Sequence, residues 1–306
     1  MPSFKEAIED RLGPIPNYLD ATEGLLQYYG PDSLTCHGLR RINDTQIEAL
    51  FIVPENLCGP KARPPMFDKL RDNEGTFTTQ TEVTDAHQHF IDSVTINGTP
   101  IKLIPGHKIA GLAVAAAELF HNQNQEEPED LMLTYLDFIR YKGFVLPNQE
   151  LLLPTTMQKD ETAVVYSPTI FVKNFLRTEG RGFKCVPVGR IDEETKNAML
   201  LQHWLFETTA QGFGAAAGSV KKVKDLVPIL MQTERTRFAA KPIRAGDLIS
   251  TVFVFLPSPA DQAFGNATIF VNGERYGDQT RLMDRFYPIE KIAEGIEETK
   301  KQVQAA

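Results

Sequence analysis

The organisation of the chain is decided by the run Pro105-Gly106-His107-Lys108-Ile109-Ala110-Gly111-Leu112-Ala113-Val114-Ala115-Ala116-Ala117-Glu118-Leu119-Phe120. Between Lys108 and Glu118 every residue is apolar or small. A helix that is apolar on nearly every side has to be enclosed on nearly every side. The run therefore predicts a central helix that other parts of the chain surround.

The elements around this helix occur twice. Residues rich in Thr, Ile, Phe and Val predict strands at 39–53, 76–83, 131–141, 144–153 and 162–176. A second helix rich in small residues follows at 200–217, and further strands close the chain. Helix followed by strands, repeated, is typical of an α+β protein in which a sheet packs on its own helix.

The repeat can be checked residue by residue. Segment 140–151 aligns without gaps on 237–248, an offset of 97 residues, and His107 placed on His203 gives 96. Two elements that share an offset within one residue indicate a tandem duplication, the alternative being two unrelated segments of similar length. Two copies paired edge to edge would leave a cleft between them.

Composition and charge exclude several classes of protein. With 306 residues, 42% of them hydrophobic and 24% charged, the chain is globular and exceeds the usual size of a single core. A net charge of −8 argues against nucleic acid or an anionic membrane as the main partner. No leader-like or membrane-spanning segment is evident, and the three cysteines have neither disulfide nor zinc spacing, so we expect a cytoplasmic location.

Two stretches carry a resemblance to a known family. Phe206-Glu207-Thr208-Thr209-Ala210-Gln211 is similar to the E-x-x-A-Q of fatty-acid dehydratases and the D-x-x-x-Q of polyketide-synthase dehydratase domains. Arg237-Phe238 with 242–248 is similar to a family strand in which Arg-Phe precedes a Pro-Gly-Asp turn. Over roughly residues 60–285 the chain thus resembles the double hot-dog proteins of the β-hydroxyacyl thioester dehydratase family.

This resemblance implies a fold and a division of the chain. The expected fold is a tandem double hot-dog, in which two curved antiparallel sheets each wrap a central helix, with a short N-terminal helical extension. We expect the extension and first strands at 1–55, the first hot-dog at 56–176, and the second hot-dog with a C-terminal helix at 177–306.

The family reaction implies a composite site. Dehydration of a 3-hydroxyacyl thioester to a 2-enoyl thioester needs a base for the C2 proton and an acid for the leaving hydroxyl. The resemblance suggests Glu207 as the acid and Gln211, one helical turn on, as its orienting partner. Gly111 stands where Glu207 does in the other copy, so we expect one site and not two.

The choice of base stays open at this stage. His89 is the first candidate and His87 the second, and a third reading has no family histidine at all. The reason is that residues 91–104 separate His89-Phe90 from Pro105-Gly106, which are only a few residues apart in simple dehydratases.

The remaining expectations concern partners and other reactions. Lys221, Lys222 and Lys224 could bind the phosphopantetheine of coenzyme A or an acidic acyl carrier protein, or could simply be a solvated helix end. No metal and no other cofactor is expected, and a homodimer is left open. The alternatives to a lyase of fatty acid or polyketide biosynthesis are a thioesterase, acyltransferase or isomerase on the same fold, or a non-catalytic acyl-binding protein.

Overall fold

The structure is a computed structural model. It describes residues 4–19, 38–53, 67–73, 76–87, 91–96, 98–123, 125–159, 163–188, 209–221, 226–241 and 243–305. The helices among them are α1 (Phe4–Leu12), α2 (Gly106–Asn122), α3 (209–221) and α4 (Ile289–Ala305). No helix in these ranges is both long enough and apolar enough to cross a membrane.

The described residues form sixteen strands. They are β1 (Tyr18–Leu19), β2 (Gly38–Asn43), β3 (Gln46–Ile52), β4 (Phe67–Asn73), β5 (Thr76–Glu82), β6 (Asp92–Ile96), β7 (Thr99–Leu103), β8 (Leu131–Tyr141), β9 (Glu150–Lys159), β10 (Val164–Val172), β11 (Phe175–Arg181), β12 (Phe183–Pro187), β13 (Leu226–Phe238), β14 (Leu248–Leu256), β15 (Gln262–Val271) and β16 (Glu274–Pro288).

Fourteen of these strands make one continuous antiparallel sheet. Its order is β1-β2-β3-β14-β15-β16-β13-β8-β11-β10-β9-β5-β4, and β12 pairs with β8 and β10. Strands β6 and β7 form a separate hairpin. The chain therefore has two halves that meet where β8 pairs with β13.

The two halves repeat each other. In the first half β8, β9, β10 and β11 follow the same connections as β13, β14, β15 and β16 in the second. Shifted by 97 residues, 150–159 becomes 247–256 and 164–172 becomes 261–269, which nearly coincide with β14 and β15. The offset found in the sequence thus holds for strands outside the segment that suggested it.

Strand pairing divides the chain differently from the sequence-based boundaries. Strands β2 and β3 pair with each other, and β3 pairs with β14, so the N-terminal strands extend the second half. Strands β11 and β12 pair with β8, so residues up to 187 belong with the first half and not only those up to 176. Unpaired backbone groups at a sheet edge accept whichever strand can reach them, and chain order does not decide which one does.

Both central helices are buried in the sheet. All residues of α2 from Lys108 to Val114 are buried, as its composition predicts. In α3, Phe213 is fully buried and its ring lies 5.5 Å from that of Phe253 and 5.2 Å from that of Phe255. One hydrophobic core contains residues of both helices and both half-sheets. The expected arrangement of two sheets, each around its own helix, is confirmed.

Replacing Phe213 by Ala should destabilise the protein by about 3–5 kcal/mol, because it removes a buried ring and leaves a cavity between α3 and β14. Denaturant unfolding followed by circular dichroism measures this. Leu256→Ala, at a side chain that is 43% exposed, should change the free energy of unfolding by less than about 0.5 kcal/mol. Equal effects of the two substitutions would contradict the packing of α3.

Candidate functional site

A cavity of about 330 Å³ lies between the two halves. Its wall from the first half is formed by Val94, Leu103, Ile104, Pro105, Gly106, Tyr141, Lys142, Gly143 and Phe144. Its wall from the second half is formed by Ala210, Gln211, Gly214, Val227, Pro228, Ile229, Leu230, Met231, Asp284, Tyr287, Lys291 and Ile292. Most of these residues are apolar, so a chain of methylene groups is a suitable ligand.

The N-terminus of α2 opens onto this cavity. Its N-cap residue, Pro105, makes no side-chain capping hydrogen bond, and both Pro105 and Gly106 line the cavity. A Cβ atom on Gly106 would overlap the ring of Tyr141, so glycine allows β8 to approach the start of the helix. The first backbone N–H groups of a helix attract partial negative charge, such as that of a carbonyl oxygen.

Gln211 lies in the opposite wall. It is in the first described turn of α3, is 5% exposed, and lines the cavity. Gly214, three residues further on, lies on the same side of the helix, where a Cβ atom would come within 2.8 Å of Pro228 Cγ. The glycine allows α3 to pack closely on β13. This close packing places Gln211, which is on the same side of the helix, in the cavity wall.

The cavity wall contains an acidic residue that was not predicted from the sequence, Asp284. Its side chain is 1% exposed, and Oδ1 has no hydrogen-bond partner among the described residues. It lies on the inner face of β16, between the buried Leu282 and Phe286. A carboxylate where strand alternation requires apolar residues was the signal available in the sequence.

Burial determines the protonation of this carboxyl. Desolvation raises the pKa of Asp284 well above its ordinary value of 3.8, because a carboxylate without a counter-charge is costly in an apolar wall. Burial likewise raises the pKa of Tyr141, whose hydroxyl also has no hydrogen-bond partner among the described residues. Both residues line the cavity, and burial favours the neutral form of each group, which can donate a hydrogen bond.

The structure describes some of the residues predicted from the sequence and not others. His89, Glu207, Lys222 and Lys224 lie outside the described residues. Of the three proposed catalytic residues, Gln211 is described and lines the cavity. The roles of all three stay predictions.

His87, the second candidate for the base, is held in a local turn. The backbone N–H of Thr84 donates to its Nδ1 at 3.1 Å, and the Thr84 hydroxyl lies at the same distance. The ring is not part of the cavity wall. Its neighbour Asp85 accepts a hydrogen bond from Lys102 at 2.6 Å.

Of the three lysines expected to bind the carrier, only Lys221 is described, and two other lysines line the cavity. Lys221 donates to the backbone carbonyls of Ser258 and Pro259 at 2.9 and 3.0 Å and does not line the cavity. Lys142 and Lys291 do line it, and both side chains remain partly exposed, at 35% and 63%. These two lysines, one from each half, lie where the cavity meets solvent.

The hairpin of β6 and β7 explains the segment that separates His89-Phe90 from Pro105-Gly106. Its buried residues Val94, Ile96 and Leu103 form a small core with Ile292 and Ile296 of α4. Val94 and Leu103 also line the cavity. The inserted segment and the C-terminal helix together cover one side of the cavity.

Among the comparisons with known proteins, only the one with solved structures finds similar proteins, and it bears on the fold. No protein-family model matches the sequence, and no curated protein matches it significantly. The bifunctional dehydratase–cyclase domain of ambruticin biosynthesis has a similar structure, with a TM-score of 0.50 and 11% identity over 76% of this chain and 98% of that one.

Two further solved structures are similar. The dehydratase domain of PpsC from Mycobacterium tuberculosis, in complex with C12:1-CoA, has a TM-score of 0.48 and 11% identity over 76% of this chain and 100% of that one. A TesB protein of Mycobacterium avium subspecies paratuberculosis has a TM-score of 0.48 and 12% identity over 72% of this chain and 96% of that one.

The duplicated topology and the similarity to the dehydratase–cyclase domain together show a double hot-dog fold. The resemblance seen in the sequence is thereby confirmed for the fold. The sequence identity of 11% is as low as that expected of a divergent protein with this fold. Reaction and substrate are not determined by a fold.

Asp284→Asn should remove a pH dependence of stability. A carboxyl whose pKa is raised by folding stabilises the folded state fully below about pH 4, and this contribution is lost as the pH rises towards the folded-state pKa. The free energy of unfolding of the wild type should therefore fall, relative to Asp284→Asn, by up to about 1.4 kcal/mol per pH unit above pH 4.

Urea unfolding of both proteins at several pH values between about 4.5 and 7 measures this difference. Asp278→Asn in the same strand is the control, because that carboxyl is 31% exposed and lies 3.5 Å from Arg275. A constant difference between wild type and Asp284→Asn would show that Asp284 is ionised in the folded protein.

Proposed function

We propose that the protein is a dehydratase-like lyase that converts a 3-hydroxyacyl thioester to a 2-enoyl thioester. The observation that carries the proposal is the position of Gln211. The stretch from Glu207 to Gln211 suggested the reaction from sequence, and Gln211 lies in the wall of an apolar cavity between the halves. Separate residues from two halves around one slot are what a composite acid–base site requires.

The proposed chemistry is a proton transfer at each end of the reacting bond. His89, as base, takes the proton from C2, and the electron pair of that C–H bond forms the C2=C3 double bond. The C3–O bond breaks while Glu207, as acid, protonates the leaving hydroxyl, and water departs. Gln211 orients the carboxyl or the hydroxyl through its amide. Acid–base chemistry of this kind needs neither a metal nor a nicotinamide.

The start of α2 supports the same reaction. As the C2 proton leaves, negative charge develops on the thioester oxygen, which fixed N–H dipoles can stabilise. Gly106 and the uncapped first turn of α2 line the cavity on the side facing Gln211. A thioester with its carbonyl at this helix end would place its acyl chain between the two halves.

The carrier is proposed from charge. The phosphates of coenzyme A, or of the phosphopantetheine arm of an acyl carrier protein, need cations near the cavity mouth. Lys142 and Lys291 occupy that position, although each also pairs with a carboxylate, Glu179 at 2.7 Å and Glu294 at 2.6 Å. Lys222 and Lys224 remain candidates from the sequence, whereas Lys221 is already bound to the Ser258 and Pro259 carbonyls.

The reaction can be tested in both directions. Incubation with 3-hydroxyacyl and 2-enoyl thioesters of several chain lengths should change the absorbance of the conjugated enoyl group. Glu207→Gln should lower kcat by at least about 100-fold with the fold retained, because an amide cannot supply the proton. Gln211→Ala should lower it less, by about 10- to 100-fold, since this side chain only orients another.

Gln262→Ala, at the start of β15 and outside the cavity wall, is the control and should have wild-type activity. A flat absorbance trace at every chain length would overturn the dehydratase. Release of free thiol from the same thioesters would then favour hydrolysis on this fold, and binding without any turnover would favour an acyl-binding protein.

The identity of the base has a separate test. His89→Ala should lower kcat by at least about 100-fold, and the residual kcat should lose the acidic limb of the pH profile, which reports protonation of the base. His87→Ala should leave kcat within about threefold, because Nδ1 of His87 is engaged with Thr84 and the ring is not in the cavity wall. The reverse pattern would assign the base to His87.

A further inference from the structure

Asp284 is a buried acidic residue among apolar neighbours in β16. On the inner face of β16 its neighbours are Leu282 and Phe286, both buried, and across the sheet it pairs with Leu230 and Ala263. Each of these neighbours is apolar. No described residue offers this carboxyl a counter-charge that perturbs it, and burial alone is the cause of its raised pKa.

The Asp284 carboxyl lies in the cavity wall beside a glycine of α3. A Cβ atom on Gly214 would come within 3.3 Å of Asp284 Oδ2, so α3 has no side chain between itself and the carboxyl. Oδ1 has no hydrogen-bond partner among the described residues, and the side chain is 1% exposed. Leaving such a group unsatisfied destabilises the protein, so a ligand that accepts a hydrogen bond from it gains affinity.

A second polar group faces the cavity from the other half. Tyr141 lines the cavity, and its hydroxyl is buried and has no hydrogen-bond partner in the described part of the chain. Two residues with an unsatisfied buried oxygen thus line a mostly apolar space from opposite walls. A saturated hydrocarbon chain would leave both oxygens without a hydrogen-bond partner. An anion would lose its hydration on entering the cavity and, among the described residues, would find no positive charge beside Asp284.

We propose that the cavity selects acyl chains that carry a ketone or hydroxyl oxygen in addition to the reacting 3-hydroxyl, and that the Asp284 carboxyl donates a hydrogen bond to this oxygen. The inference deepens the proposed function and rests on it for the acyl nature of the ligand. Tyr141 is the second donor to the same polar part of the chain. Asp284 is here a specificity-determining residue, distinct from the proposed acid Glu207.

Binding to unreactive thioesters tests this without any turnover. The probes are dodecanoyl-CoA and three dodecanoyl-CoA derivatives with one ketone at C5, C7 or C9, and calorimetry gives Kd. The wild type should bind at least one ketone isomer about tenfold or more tightly than the plain chain, since the ketone satisfies a buried donor. Asp284→Leu should lose this preference, and Tyr141→Phe should reduce it.

The isosteric variant separates recognition from proton transfer. Asp284→Asn keeps an N–H donor at the same place, so it should retain most of the ketone preference, and Asp278→Asn should retain all of it. An unchanged preference in Asp284→Leu, or no preferred isomer in the wild type, would overturn the inference.

The binding experiment distinguishes failure of this inference from failure of the proposed dehydratase function. Selective binding of a ketone isomer without dehydration would overturn only the reaction, and dehydration without a ketone preference would overturn only the role of Asp284. Failure of all four thioesters to bind would overturn both.

Discussion

The structure depends on the enclosure of two nearly all-apolar helices by one sheet. Neither α2 nor α3 has a polar face to present to water along its buried length, so each requires a half-sheet of its own. The two half-sheets share a single hydrophobic core and join where β8 pairs with β13. Pairing at that seam fixes how the start of α2 and the side of α3 face each other, and so creates the cavity between them.

The same enclosure gives the polar groups of the cavity their chemical character. Gln211, Tyr141 and Asp284 are each less than 10% exposed, in walls made mostly of apolar residues. Burial raises the pKa of the Asp284 carboxyl and of the Tyr141 phenol, which favours their neutral forms, the forms that can donate a hydrogen bond. A cavity of this kind suits a ligand that is mainly hydrocarbon with a few oxygen atoms, which is the description of an acyl thioester.

Much of the fold was accessible from the sequence because it depends on local pattern and on repetition. Segment 131–141 coincides with β8, and the expected C-terminal helix is α4, since the apolar pattern of both segments is strong. Segment 144–153 was predicted as one strand, yet β9 begins only at Glu150, because residues before it form a turn whose Val145 bridges to Ile104. The hairpin of β6 and β7 appeared in the sequence only as extra length before Pro105.

The sequence by itself determined the duplication, the two apolar helices and the E-x-x-x-Q stretch that ends at Gln211, because each is a matter of residue order along the chain. Only the tertiary structure decided that β3 completes the second half, that Lys221 is bound to a loop, and that Asp284 shares a cavity with Gln211. The two residues of that last pair are 73 positions apart. The reason is physical: strand pairing and desolvation depend on which surfaces meet in space, and residues far apart in the chain carry no local sign that they will meet.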